Sequence, residues 1–142
     1  MKKIVCIVCF TFLAVLVGKA QNLTGTWALD KVQVEEVKKG RSLKKTDYSS
    51  NIDFAGKESY PEQLVIQDSE VVYMQLNGET VKTTYTQNLN VIRIDMIAFV
   101  ESYTYEVAAD GALILKTSYQ RMDNNDAQVT SYTALGYYSR TK

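Results

Sequence analysis

The stretch NLTGTWALDKVQVEE, residues 22–36, holds the only tryptophan of the chain, Trp27, two residues after Gly25. Its apolar side chains change phase part-way along. Trp27 and Leu29 are odd, whereas Val32 and Val34 are even. A β-strand alternates its faces with period two, so a strand that buries all four must slip by one residue between them. A bulge or sharp bend near Asp30 and Lys31 provides that slip. A long first strand that bends in this way can serve both ends of a closed sheet.

Downstream, the sequence reads as β throughout. It has ten tyrosines, many Thr and Val, and one proline, a composition that suits strands. The first strand covers about 24–38. Others are predicted at 62–67, 70–77, 80–87, 90–96, 99–108, 112–121 and 128–140. Asp68–Ser69, Asn77–Gly78, Asn88–Leu89–Asn90, Asp110–Gly111 and the polar run 122–127 separate them. Asn-Gly and Asp-Gly are primed-turn dipeptides. Connections this short join antiparallel neighbours only, so seven of the eight strands form a meander.

Alternation within the runs supports this. Val72, Met74, Leu76, Tyr85, Ile92, Ile94, Phe99, Tyr103, Tyr105, Leu113, Leu115 and Tyr119 share the expected inner face, with Glu101, Thr117 and Arg121 among them. An open eight-strand sheet leaves two exposed edges, and closure removes them. The expected fold is therefore all-β: an eight-stranded antiparallel up-and-down barrel spanning 21–142.

Residues 1–20 stand apart. A basic MKK precedes an apolar run of 14 residues and a small-residue end at Ala20, the order of a cleaved signal peptide. The run is too short for a comfortable membrane span, so no stable membrane anchor is expected after cleavage. Cys6 and Cys9 both lie in the run, and Val5 and Val8 hold the places where a lipoprotein signal needs a small residue. From Gln21 onward there is no cysteine, and 13 cations face 16 carboxylates. The chain is thus expected to be exported, to a periplasm or beyond the cell. Nucleic acid is a poor partner for such a charge balance. The one basic cluster, KKGRSLKK at 38–45, reads as a solvated loop, with an anionic surface as the lesser alternative.

That cluster opens the one long connection, 39–61. Loops of this length often act as lids or binding loops. Leu43, Tyr48, Ile52 and Phe54 supply apolar groups with which it can dock. A disordered or partly helical surface insertion is the competing expectation.

A short eight-strand meander with Gly25–Thr26–Trp27 in its first strand resembles the lipocalin-like (calycin) group. The resemblance implies that an arginine near the end of the last strand packs on the tryptophan and helps close the barrel base. Arg140, in GYYSRTK, stands at the matching position. It also implies that the loop after the first strand covers the open end. The chain looks most like short, exported bacterial members, without the C-terminal helix and disulfides of the animal proteins. LTGTW is also similar to the start of avidin-type biotin binders, but those build their pocket from several tryptophans.

From Gln21 onward the chain has no His and no Cys. That removes Ser-His and Cys-His catalysis and the usual transition-metal ligands. No catalytic residue, metal or cofactor is expected. DNND at 123–126 lacks the spacing and glycine of a calcium loop. Asn22–Leu23–Thr24 is a formal glycosylation sequon without expected use. An eight-strand barrel either fills with side chains or holds one small ligand. The candidate ligand-binding residues are Tyr85, Phe99, Glu101, Tyr103, Tyr105, Tyr119 and Phe54. The expected function is a non-enzymatic binding protein for a small hydrophobic or amphipathic molecule. The alternative is a packed barrel that binds a protein partner, as a periplasmic inhibitor or envelope accessory protein.

Overall fold

The computed structural model describes residues 21–49, 60–122 and 128–142, with the backbone of 53–54 and 57–58. Residues 1–20, read above as a signal peptide, the Phe54 side chain, Ile52 and residues 123–126 lie outside the described residues. The described elements are all strands. They are β1 (Gly25–Lys38), β2 (Arg41–Tyr48), β3 (Asp53–Phe54), β4 (Lys57–Glu58), β5 (Gln63–Ile66), β6 (Val71–Leu76), β7 (Glu79–Asn88), β8 (Val91–Asp95), β9 (Val100–Val107), β10 (Leu113–Met122) and β11 (Val129–Thr141).

Strands β5 to β11 pair in chain order, and β11 returns to β1, which also pairs with β5. Every pairing is antiparallel. This is a closed eight-stranded up-and-down barrel, made of β1 and β5–β11. The described barrel lies wholly within residues 21–142. The register of β1 against β11 shifts between Leu29 and Lys31, so the slip read from the phase change is a bulge.

The bulge lets β1 have two partners along one edge. Gly25–Ala28 pairs with β5, and Val32–Lys38 pairs with β2. The second pairing corrects the expectation of a strandless 39–61 connection. Lys39 and Gly40 have φ of 52° and 71° and join Lys38 to Arg41, which are paired. Positive φ at both turn residues is the type I′ hairpin geometry. The charges then match across the strands: Glu35 faces Lys45, and Glu36 faces Lys44. Asp47 accepts hydrogen bonds from Gln33 Nε2 at 2.9 Å and Lys31 Nζ at 3.2 Å. Leu43 and Tyr48 do not dock; they are 56% and 37% exposed.

The remaining turns follow local chemistry. Asn77–Gly78 has φ of 51° and 81° and closes the Leu76–Glu79 pair, a type I′ turn as expected. Asp110–Gly111 is different. Gly111 has φ of 86° while Asp110 stays in the ordinary region, and Ala108 N–H reaches Ala112 O across the loop. The Asp110 carboxylate accepts from Ala112 N at 3.0 Å and stabilises this wider turn instead of a two-residue one.

Side chains fill the barrel. Val32, Leu64, Ile66, Val72, Met74, Ile92, Ile94, Tyr103, Leu113, Leu115 and Tyr138 are at most 1% exposed. Tyr60 joins them from the segment before β5 and is completely buried. It crosses over Gly136, where an added Cβ would come within 2.3 Å of the Tyr60 ring. Only glycine leaves room for that crossing.

Candidate functional site

The interior divides into three levels. At the base, Trp27 is 1% exposed and donates its indole N–H to Leu23 O at 2.9 Å. The Arg140 guanidinium lies 4.7 Å from the Trp27 ring centroid and donates to Thr24 O at 3.1 Å. Gly25, at φ 144°, sits beneath that guanidinium, and a Cβ there would meet it at 3.5 Å. These three residues have the base arrangement that the first-strand motif implied. Two expected site residues belong here as well. Tyr85 donates to Gln67 O at 2.7 Å. Tyr105 donates to Leu89 O at 2.7 Å and accepts from Gln87 Nε2 at 2.6 Å. Both hydroxyls tie base turns to the barrel instead of facing its other end.

The middle level is a tyrosine cluster. Tyr60 donates to Ala134 O at 2.8 Å, with Leu115 O at 3.2 Å. Tyr138 donates to Pro61 O at 3.0 Å. The Tyr60 and Tyr103 rings lie 5.6 Å apart at 54°, a tilted pairing that aromatic quadrupoles favour. Burial pushes the phenols of Tyr60, Tyr103 and Tyr138 well above their ordinary pKa, helped by neighbouring phenols at Tyr103 and Tyr138 and by the Glu101 carboxylate at Tyr60 and Tyr103. For Tyr60 a backbone hydrogen bond from Thr117 opposes part of the rise. Tyr103, an expected ligand contact, is therefore packing at the centre of the barrel.

The upper level is different. The β9–β10 ladder ends at Thr104–Lys116, whereas β10 stays paired with β11 up to Met122–Val129. β11 stays paired with β1 up to Lys38–Thr130, and β1 with β2 to its tip. Above the ladder's end, β10, β11, β1 and β2 continue as a four-stranded blade. Its inner face carries Val34 from β1, Thr130 and Tyr132 from β11, and Thr117, Tyr119 and Arg121 from β10. Tyr119 and Tyr132 are directly opposed and stack with centroids 4.8 Å apart at 10°. Glu101, only 8% exposed, accepts from Thr117 Oγ1 at 3.1 Å. Phe99 is half-buried against the core on the β9 side. Glu101, Phe99 and Tyr119 also have further partners.

Of the seven expected ligand contacts, Phe99, Glu101 and Tyr119 therefore come together at the upper end. Tyr85, Tyr103 and Tyr105 do not, and Phe54 is described only as backbone, opposite Lys57. Tyr132 and Thr130 belong to the site without having been expected there. The even-numbered series Thr130, Tyr132, Ala134, Gly136, Tyr138 was the available signal. Its small central members also mark where Tyr60 crosses.

A surface hollow of about 630 Å³ lies at the base, lined by Asp30, Asp110, Ser139, Arg140 and others. Its one guanidinium is already engaged by Thr24 O and the indole, so the upper wall is the better candidate. Among the described residues, no group of three or more acidic, His or Cys side chains is placed to hold a metal. No helix among them is long and apolar enough to cross a membrane. No protein-family model matches the chain, and no curated protein matches it in sequence.

Proposed function

We propose that the chain is an exported, non-enzymatic binding protein of lipocalin-like type. Its ligand is a small hydrophobic or amphipathic molecule held at the upper end of the barrel. The observation that carries this reading is the Tyr119–Tyr132 stack beside the Glu101–Thr117 pair, above a filled barrel. Two half-buried rings offer a flat apolar surface, and a sheltered carboxylate with a hydroxyl offers one polar anchor. Ligand sites commonly combine apolar lining with a few placed polar groups. Export rests on the signal-like order of residues 1–20.

Of the two outcomes open to an eight-strand barrel, filling by side chains or a cavity for one small ligand, the described middle level has the first. Tyr60, Tyr103 and Tyr138 occupy the barrel's middle. That filling favours a second reading, in which the solid barrel is a scaffold for a protein partner. Native mass spectrometry of the protein purified from its own host separates the two. A small-molecule adduct that is lost on Tyr119→Ala and Tyr132→Ala substitution supports the first reading. Recovery of the bare mass alone, or co-purification of a stoichiometric protein, rejects it.

A further inference from the structure

We propose that the tip of the blade docks on an anionic phospholipid bilayer. Two independent features of that tip point there. The first is charge. The β1–β2 hairpin, residues 31–48, carries six cations against three carboxylates. The connection between Met122 and Val129 adds Asp123 and Asp126, and Arg121 adds a cation, so these segments together still carry a net charge of +2, against −5 for the rest of the chain from Gln21. Within the hairpin the carboxylates lie away from the turn. Glu35 and Glu36 face Lys45 and Lys44, and Asp47 takes Lys31. Lys39 and Arg41 stand exposed at the turn itself. In the strand registers, Lys38 is level with Thr130 and Arg121, so Arg121 extends the cationic edge across the blade.

The second feature is apolar exposure at the same place. Leu43 is 56% exposed where the pairing of β1 and β2 shifts register next to Lys44. Met122 and Val129 are paired one step beyond Arg121 and are 63% and 43% exposed. Across the mouth, the β8–β9 turn presents Ile97, 69% exposed, at φ 76°. Positive φ is strained for a β-branched residue. Here the Asp95 carboxylate, accepting from Ile97 N at 2.9 Å, and a Met96 N–H to Phe99 O bond hold the turn.

Cations interleaved with exposed aliphatic side chains suit a bilayer surface carrying negative lipids. The cations gain from the surface potential, and the aliphatic groups enter the interfacial region. A duplex would use the cations and leave Leu43, Met122 and Val129 in water. Docking in this orientation sets the mouth of the barrel against the lipid. For that purpose the inference rests on the ligand-binding reading, but vesicle binding itself does not depend on it.

The test uses the chain beginning at Gln21, which contains the whole described barrel, so that the apolar segment before it does not bind lipid itself. Co-sedimentation is measured with vesicles of phosphatidylcholine alone and with equal parts phosphatidylcholine and phosphatidylglycerol. The expected result is binding to the anionic vesicles only, weakening with salt. Lys39→Asn is the informative variant. It removes one cation, and it places Asn-Gly, the preferred type I′ pair, at the turn. Affinity should fall about fivefold, the worth of one cation near an anionic surface, while the melting temperature holds or rises. Leu43→Ser should weaken binding at unchanged charge. Absence of binding, equal binding to both vesicles, unchanged affinity in Lys39→Asn, or equally tight binding to duplex DNA would each overturn the proposal. If vesicles fail to bind while a small-molecule adduct persists in native mass spectrometry, only the docking surface is lost.

Discussion

The base of the barrel and the blade above it are built from the same long strands, yet they spend their residues differently. At the base, each polar group that penetrates the barrel end has a partner within the fold: the Trp27 indole on Leu23 O, Arg140 on Thr24 O, Tyr85 on Gln67 O, Tyr105 on Leu89 O. On the blade, aliphatic side chains stand in water and the cations outnumber the carboxylates near the turn. Stability can account for the first pattern, because buried polar groups must be hydrogen-bonded. It cannot account for the second. Leu43, Met122 and Val129 leave much of their surface in water, and the blade's ion pairs lie in high dielectric where they contribute little. The difference places the fold's stability below the Thr104–Lys116 level and leaves the surface proposed for function above it.

The largest expected effect concerns the barrel body in alkali. Tyr60, Tyr103 and Tyr138 have phenols whose folded pKa is raised, chiefly by burial. In the unfolded chain they ionise near the ordinary value of about 10. Below that pH both states hold the proton and the full stability is present. Above it the unfolded chain releases protons that the folded barrel retains, so stability falls as pH rises. Each such group contributes a slope of about 1.4 kcal/mol per pH unit. Chemical unfolding measured from pH 8 to 12 should show constant stability up to about 10 and a steep fall beyond. A flat profile would mean that these hydroxyls are accessible and that the middle of the barrel is not solid.

Trp27→Ala comes next. It removes the largest buried side chain at the base and strands Arg140 over a void. Large-to-small changes of this kind cost about 3–5 kcal/mol, read as a shifted denaturation midpoint. An unchanged midpoint would end the claim that the base carries the stability. Gly136→Ala tests the level above it. The added methyl has no space unless Tyr60 withdraws, and overpacking of a core costs about 1–3 kcal/mol. Withdrawal would also release the Tyr60 hydroxyl from Ala134 O, so the variant should restore one ordinary phenol titration.

The base was legible in the sequence for a physical reason. Gly25, Trp27 and Arg140 act through residue type: a glycine that accommodates a guanidinium, a large flat ring, and the cation that covers it. The phase change between Leu29 and Val32 likewise had one structural solution. β2 was not legible, because nearly all its side chains are exposed and a strand without a buried face has no alternation to read. Its signal was instead the run of Lys44 and Lys45 opposite Glu36 and Glu35, which is visible only once the Lys39–Gly40 turn is placed. Tyr60 was missed because it precedes Pro61 in a segment without periodicity, and only the small residues Ala134 and Gly136 recorded its position. Tyr85, Tyr103 and Tyr105 were placed on the inner face correctly, yet alternation fixes a face and not a height. Their hydrogen bonds and burial put them at the base and middle levels, while Phe99, Glu101 and Tyr119 stand at the upper level.

The smallest effect on stability is the one that best separates the two regions. Lys45 lies 3.9 Å from Glu35, and the two side chains are 59% and 33% exposed. An ion pair at that distance and exposure contributes from nothing to about 1 kcal/mol. Lys45→Gln keeps the length and polarity of the side chain and removes its charge. The denaturation midpoint should move by less than about 0.5 kcal/mol equivalent. The same variant takes one cation from the blade, so its affinity for phosphatidylglycerol vesicles should fall about fivefold, as for Lys39→Asn. A loss of stability with unchanged vesicle affinity would reverse the assignment: the charges of β2 would then hold the hairpin together, and the blade would be scaffold like the base. A stable variant that binds lipid poorly is the outcome expected of a surface whose charges serve a partner outside the fold.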